Sequence, residues 1–458
     1  MDISQFYCKF ALVISQIVMK RSIYSTLCEW KTDSGRKPLL LRGARQTGKT
    51  YIVIEFGKKE FTDLIVLNFE RNPEYRDIFT SLDPSEINQR ISLFTGKAPK
   101  PGKTLLFLDE IQECPAAIMA LRYFFEELPE LHVIGAGSLL EFALLSENFR
   151  MPIGRIQYLH LYPLSFNEFL HAVKEHELSS YISCLENVVN LPEGLHDKLN
   201  DYLRKYFVIG GMPAVVCEYA ANRDILRCKK IQQSILDTYM DDFAKYARKS
   251  KHKYLKKVFY SIPEMVGQKF VYSHVDPEIK SRDLKDALEL LETAGIVHRV
   301  RQTSGAGIPL SAGFHESFYK VIFLDVGLFH AISGIYSEVI REKDLTAIFK
   351  GAVAEQYAGQ ELIACQTPFT KISLYYWARK AKNSSAEVDY LIEHQGRIIP
   401  LEIKSGPTGH MRSMKMFIEK YHSPIGVKIS QARFDKGDKV LSLPLYAIDG
   451  FLNGKAIQ

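Results

Sequence analysis

Over the first third of the chain, short apolar runs alternate with stretches in which apolar residues recur every three or four positions. The runs are Leu39 to Leu41, Leu64 to Phe69, Thr104 to Leu108 and Leu131 to Ile134. Uninterrupted runs of this length belong to parallel strands covered on both faces. The stretches between them, including Thr50 to Phe56 and Ala116 to Glu127, carry helical spacing. Residues 21–162 are therefore predicted to be a doubly wound, parallel-sheet α/β domain. From 163 to 246 the pattern is mostly helical, with Gly210-Gly211-Met212-Pro213 as a turn, and a helical lid or linker is expected. In the next region, 247–345, Leu284, Ala287, Leu288 and Leu291 recur at helical spacing, Gly295 stands where a helix would stop, and Ile296 to Arg301 alternates like a strand. That order predicts a helix-turn-helix ending in a β wing, a winged-helix region. The last region, 346–458, reads as a helix around Glu355, strands at 372–377, 387–393 and 397–404, a helix near 411–421 and a closing strand, hence a second α/β domain.

Composition narrows the class. A chain of 458 residues is long enough for roughly three domains. A hydrophobic content of 46% beside 24% charged residues excludes long disordered tails. The net charge of +6 is mild, permitting nucleic-acid binding without requiring it. The seven cysteines are scattered, with no C-x-x-C pair, which speaks against disulfides and structural zinc and for the cytoplasm. Phe10 to Met19 is apolar but about half the length needed to span a bilayer. Residues 1–20 are read as an N-terminal helical extension on the first domain, with no membrane as partner.

Chemistry is densest at Gly43-Ala44-Arg45-Gln46-Thr47-Gly48-Lys49-Thr50. The spacing G-x-x-x-x-G-K-T, preceded by an apolar strand and followed by a helix, is that of a phosphate-binding loop. Its glycines let backbone N–H groups and a helix N-terminus face the phosphates of ATP, with Tyr51 in the first turn; Lys49 reaches the β and γ oxygens and Thr50 ligates Mg²⁺. A second run, Leu105-Leu106-Phe107-Leu108-Asp109-Glu110, ends in two carboxylates. Asp109 is expected to hold Mg²⁺ through its water shell and Glu110 to polarise the attacking water. Ser138, after the next strand, is the candidate γ-phosphate sensor, and Arg155 a candidate arginine finger or cis sensor.

These residues, with Arg21-Ser22-Ile23-Tyr24, Leu108-Asp109-Glu110-Ile111-Gln112, Gly154-Arg155, the segment Tyr162 to Phe169, Gly210-Gly211-Met212-Pro213 and Phe323 to Leu328, resemble the prokaryotic AAA-type ATP-binding proteins with a C-terminal domain of unknown function. The Gly-x-Arg-Gln-x-Gly-Lys-Thr form of the loop is the most specific part. The resemblance implies a P-loop AAA-like core, a winged-helix region and a C-terminal restriction-endonuclease-like α/β domain. It supplies no substrate.

In that last domain Glu402 and Lys404, two residues apart, share one face of a predicted strand while Leu401 and Ile403 take the other. With Asp389 on the neighbouring strand and Glu355 on the preceding helix, the carboxylates form a candidate second metal site, Lys404 orienting water for phosphodiester hydrolysis. The alternative is a solvated strand face on a domain that only binds DNA or protein. A basic stretch, Lys245, Arg248, Lys249, Lys251, Lys253, Lys256 and Lys257, offers phosphate contacts or is a solvated helix face. Two functions follow: an ATP-hydrolysing protein whose nuclease-like domain engages DNA or RNA, or a nucleotide-gated switch that holds a protein partner with an inactive nuclease-like domain. AAA-type relatives often form rings, so a homo-oligomer in which Arg155 reaches a neighbour's nucleotide is a further reading.

Overall fold

The structure, a computed structural model, describes residues 19–138, 140, 154–246, 249–334, 351–379, 386–404 and 411–454. The apolar run expected to form the N-terminal helix lies outside them, apart from Met19. The chain divides into two compact units, Lys20–Tyr162 with Thr367–Lys371, and Pro163–Gln366 with Ile372–Gln458 and Met1–Met19.

The first unit is built on strands β1 (Leu39–Arg42), β2 (Asp63–Asn68), β3 (Thr104–Asp109), β4 (His132–Ala136) and β5 (Gln157–His160), in spatial order β2-β3-β4-β1-β5. All four pairings are parallel. Helices α1 (Ile23–Thr32), α2 (Lys49–Glu60), α3 (Pro84–Thr95) and α4 (Pro115–Glu127) cover both faces. Alternation along the strands sorts the core in two. Leu39, Leu41, Leu105 and Phe107 pack with Ile23, Leu27, Ile52 and Phe56, whereas Leu40, Leu106 and Leu108 pack with Ile87, Ile91, Leu121 and Phe124. The inner strands β1, β3 and β4 thus read as nearly unbroken apolar runs because both of their faces are covered. At the β5 edge, the backbone N–H of His160 donates to the carbonyl of Pro368 at 2.8 Å, so the segment Thr367–Lys371 closes this side of the unit.

The second unit begins with helices α5 (Phe166–Ala172), α6 (His176–Ile182), α7 (Leu185–Val189), α8 (Glu193–Ile209), α9 (Pro213–Asn222) and α10 (Ile225–Tyr246). Then come α11 (Lys249–Met265), α12 (Tyr272–Val275), α13 (Ser281–Thr293), β6 (Val297–Thr303), β7 (Phe314–Phe323) and α14 (Val326–Ser333). As the periodicity predicts, α13 buries Leu284, Ala287, Leu288 and Leu291. The chain ends with α15 (Ala352–Ala364), β8 (Leu374–Ala378), β9 (Glu387–His394), β10 (Arg397–Ile403), α16 (Arg412–Tyr421), β11 (Gly426–Ser430), β12 (Asp435–Lys436), β13 (Val440–Pro444) and α17 (Ile448–Asn453).

Strands β6 and β7, from the region expected at 247–345, join the strands of 346–458 in one sheet of order β12-β13-β11-β10-β9-β8-β6-β7. The junction is a parallel pairing of β6 with β8, Val300 opposite Leu374. The expected wing is therefore two strands of a larger sheet.

Helix α15 explains the fusion. Every residue from Val353 to Ile363 is buried, polar ones included. The Gln356 amide accepts from the N–H of Phe323 and donates to its carbonyl, each at 2.7 Å. The Gln360 amide accepts from the N–H of Val326 and donates to the Tyr206 hydroxyl, each at 2.8 Å. Glu361 accepts from the N–H of Phe166 at 2.9 Å. Left unpaired, each of these groups would cost about 1–3 kcal/mol, so the partners fix the register of α15 against both halves of the unit. Next to it, the buried Asp325 carboxylate caps α14 through the N–H of Leu328 at 3.0 Å and accepts from the N–H of Gly211 at 2.6 Å. Gly210 has φ +74°, and a Cβ there would stand 2.2 Å from Asp325 Oδ1, which is why the turn is glycine.

Among the described residues no helix is long and apolar enough to cross a membrane. Burial pushes the Glu361 carboxyl up from 4.5 to about 8, with Asp449 adding to the rise and the Phe166 N–H opposing it. A raised carboxyl pKa means that the folded state keeps a proton the unfolded chain releases. The associated stability is complete below pH 4.5 and is lost as pH climbs to about 8. Glu361→Gln, which keeps an acceptor for Phe166, is expected to flatten the decline of melting temperature over that window in scanning calorimetry and to melt above the wild type at pH 8 and higher; parallel curves would contradict it.

Candidate functional site

The candidate site forms at the C-terminal ends of β1, β3 and β4. Gly43, Ala44, Arg45, Gln46, Thr47 and Gly48 link β1 to α2, and Lys49, Thr50 and Tyr51 make its first turn. The turn is tight: a Cβ on Gly43 (φ +150°) would lie 2.2 Å from the Leu161 carbonyl oxygen. Gln46 and Gly48 also take positive φ, +66° and +95°, so consecutive N–H groups turn towards one side and form an anion-binding nest. The Thr47 hydroxyl donates to the Ala44 carbonyl at 2.9 Å, closing the loop on itself.

Lys49 is buried, and its ammonium donates to the carbonyls of Gly43 and Ala44 at 2.9 and 2.8 Å. Burial lowers its pKa from 10.5 to about 8, opposed by Glu110 and Asp109. It is thus a desolvated cation that phosphate oxygens can satisfy better than carbonyls do. The Thr50 hydroxyl donates to Asp109 Oδ1 at 3.0 Å, and the Asn68 amide donates to Asp109 Oδ2 at 2.8 Å. Burial, and then Glu110, raises the Asp109 pKa, against these two hydrogen bonds.

Glu110 adopts the left-handed conformation, φ 51° and ψ 46°, at a cost of about 1–2 kcal/mol. The turn swings its carboxylate away from the strand axis. Oε2 then accepts from Gln112 Nε2 at 2.8 Å and from the hydroxyl and N–H of Ser138 at 3.3 and 3.4 Å. Because β4 lies between β1 and β3, Ser138 emerges between the loop and Glu110. Lys49, Thr50, Asp109, Glu110 and Ser138 are therefore brought together.

Arg155 is not. Gln157 pairs with Leu39 at the start of β1, so Arg155 is level with residue 37 and roughly 20 Å along the strands from the loop at residue 43. Its guanidinium instead donates to Glu126 Oε1 at 2.7 Å. The expected cis role is corrected: parallel strands put the start of β5 at the end of the sheet opposite the phosphate loop.

The sequence reading assigned no role to two residues at this site. Arg21 is buried and braces the loop from behind, donating to the carbonyls of Thr47 at 3.1 Å and Tyr162 at 2.6 Å. Asn68 ends β2 directly opposite Asp109. A polar residue closing an apolar strand was the signal for Asn68, whereas Arg21 entered the sequence reading only within the resembling segment Arg21-Ser22-Ile23-Tyr24, without a role, because its partners lie far along the chain.

The C-terminal candidates also meet, around a group absent from the expectation. Lys320 of β7 is 1% exposed, and its ammonium lies 2.8 Å from Glu355 Oε1, 2.5 Å from Glu387 Oε1 and 3.8 Å from Asp389 Oδ1. Asp389 Oδ2 accepts from the N–H of Ile403, and Glu402 Oε1 from Lys404 at 2.6 Å. Burial pushes both Glu355 and Glu402 up to about 7; Lys320 moderates the first, and Asp389 adds to both. Lys320 is held protonated, since Glu355, Asp389 and Glu387 more than reverse the effect of its burial. Among the described residues no group of three or more His, Cys, Asp or Glu is placed to hold a metal. Of the expected second metal site, Glu355 and Asp389 lie against Lys320, and Glu402 pairs with Lys404.

The basic stretch is partly neutralised. Lys251 pairs with Asp286 at 2.7 Å, and Lys257 with Asp276. The side chains of Lys245, Arg248 and Lys249 lie outside the described ones.

A phosphate loop on a five-stranded parallel sheet, facing a strand that ends in Asp-Glu, defines a P-loop nucleotide-binding domain. Residues 35–170 match the family model of the AAA domain, which marks the first unit as an AAA-type P-loop nucleotide-binding domain. Residues 200–339 and 350–447 match two domains of unknown function, DUF8612 and DUF4143. An uncharacterized protein of Haemophilus influenzae is 26% identical over 309 residues, covering 63% of this chain and 67% of that one. Among solved structures, similarity extends to the Aeropyrum pernix ORC2 protein in its ADPNP-ADP complexes, with a TM-score of 0.38, 11% identity and coverage of 72% of this chain and 98% of that one. It extends also to the Thermotoga maritima RuvB Holliday junction branch migration motor, with a TM-score of 0.26, 18% identity and coverage of 66% and 90%.

Arg21→Ala is expected to destabilise the protein by about 2–4 kcal/mol, the loss of two charge-assisted bonds to buried carbonyls, and to weaken ATP binding. Arg21→Lys should recover only part, because one ammonium cannot span both carbonyls as a guanidinium fork does. Urea unfolding and titration with a fluorescent ADP check both effects; an unchanged dissociation constant for Arg21→Ala would remove the brace from the site.

Proposed function

We propose that the chain is a Mg²⁺-dependent, ATP-hydrolysing AAA-type switch working in the cytoplasm. The observation that carries this reading is the 3.0 Å contact between the Thr50 hydroxyl and Asp109 beside the buried Lys49, because it joins the phosphate loop to the acidic strand end. A hydroxyl and a carboxylate are the hard oxygen donors that Mg²⁺ takes alongside water and phosphate, so the residues fit the ion. Bound MgATP supplies the transferable γ-phosphoryl group and a divalent charge that neutralises it. The loop N–H groups and Lys49 bind the phosphates. Thr50 and Asp109 hold the metal, with Asn68 fixing the carboxylate. Glu110 orients and deprotonates the attacking water, and Ser138 positions Glu110.

For the second unit we propose that α11–α13 with β6 and β7 form a winged-helix arrangement, and that α15 with β8–β11 forms a restriction-endonuclease-like fold. Its role is to hold a protein partner under nucleotide control. The pairing of Lys251 and Lys257 with Asp286 and Asp276 favours a protein over DNA or RNA, since each paired lysine is one fewer to meet a phosphate.

Lys49→Ala should lose ATP binding, whereas Glu110→Gln should bind ATP normally and turn over about 10²- to 10⁴-fold more slowly. Equilibrium binding and phosphate release with Mg²⁺ separate the two effects, and wild-type turnover in Glu110→Gln would end the hydrolytic assignment. For the output, anisotropy of labelled single- and double-stranded DNA and RNA with ATP or ADP should stay flat at physiological salt. Tight nucleotide-dependent binding would turn the reading towards nucleic acid.

A further inference from the structure

Beside the reading of the second unit as a module that holds its partner, one cluster bears on what chemistry that unit can perform. Three carboxylates from two elements converge on Lys320: Glu355 from α15, and Glu387 and Asp389 from β9. The ammonium is donated by β7, across the sheet from β9, and is 1% exposed. Glu402 of β10 and Lys404, just past its end, form a second pair beside the same carboxylates. Counted together, four carboxylates face two lysines.

We infer that Lys320 is the resident cation of this cluster, a covalently attached counter-ion standing where the carboxylate set would otherwise take a divalent metal, so that the second unit is metal-free at this position. The argument rests on geometry. Nζ is within 2.8 Å of Glu355 and 2.5 Å of Glu387, which are direct ion-pair distances, and Asp389 divides its oxygens between this ammonium and the N–H of Ile403. A metal entering here would have to displace an ammonium whose side chain is buried. Charge closes in the same sense, since Lys320 and Lys404 already meet the four carboxylates. Glu402 Oε2 is buried without a hydrogen-bond partner, while Oε1 is held by Lys404 rather than by Lys320.

The test is Mn²⁺ binding to the full chain by electron paramagnetic resonance and calorimetry, in an Asp109→Asn background and without nucleotide, so that the ATP site does not contribute. The expected result is no binding that Asp389→Asn abolishes, and the gain of one such site in Lys320→Met, with affinity raised at least tenfold over its Asp389→Asn counterpart. Wild-type binding that disappears in Asp389→Asn overturns the inference, and so does a folded Lys320→Met that gains no site. If Lys320→Met does not fold, as circular dichroism would show, the wild-type titration against Asp389→Asn decides the matter alone. Plasmid cleavage, run in parallel, keeps this claim apart from the reading of the unit as a holding module: Asp389-dependent metal binding without cleavage refutes only the counter-ion, and cleavage refutes both.

Discussion

The burial of α15 is the constraint on which the second unit depends. A helix with Glu355, Gln356, Gln360 and Glu361 on its surface would ordinarily turn that side to water, yet here it is enclosed from Val353 to Ile363. Enclosure is tolerable only because each polar group meets a partner from a different part of the chain: Lys320, the backbone of Phe323, Val326 with Tyr206, and Phe166. A polar network satisfied in this way specifies one arrangement, since sliding the helix by a residue would strand several groups at once. Segments that look modular in sequence are thereby locked into a single core.

In the first unit strand order plays the comparable role. Placing β4 between β1 and β3 leaves a gap of one strand between the phosphate loop and the acidic strand end, and the residue leaving β4 fills it. The site is consequently shared by three loops, with side chains no more than one strand spacing apart, and each loop is anchored by a strand buried on both faces. Arg21 adds a restraint from outside the sheet, tying the loop backbone to the residue that follows β5.

Much of this was legible in the chain. The four apolar runs became β1 to β4, because parallel strands covered on both sides cannot alternate with polar residues, and the loop glycines announced their positive φ. Strand β5 was missed: Gln157, Tyr158 and His160 interrupt its apolar pattern, as befits an edge strand. The shared sheet of the second unit was not legible because the pairing of β6 with β8 joins residues more than seventy positions apart, and no local pattern carries that information. Lys320 was invisible for the same reason. Asp389 and Glu402-x-Lys404 sit in adjacent strands and advertise themselves as a set, whereas the lysine that changes their meaning arrives from β7, beside which the local sequence is merely apolar.

The carbonyl of Pro368, which receives the His160 N–H at the β5 edge, belongs by sequence to the stretch between α15 and β8. The first unit is therefore discontinuous along the gene. Recombination or truncation at Tyr162 would carry away the phosphate loop with Asp109 and Glu110 yet leave behind the peptide that closes the sheet's last strand. Inheritance of this unit as a free-standing cassette is thus disfavoured, and the two halves of the chain are expected to change together rather than be exchanged piecemeal.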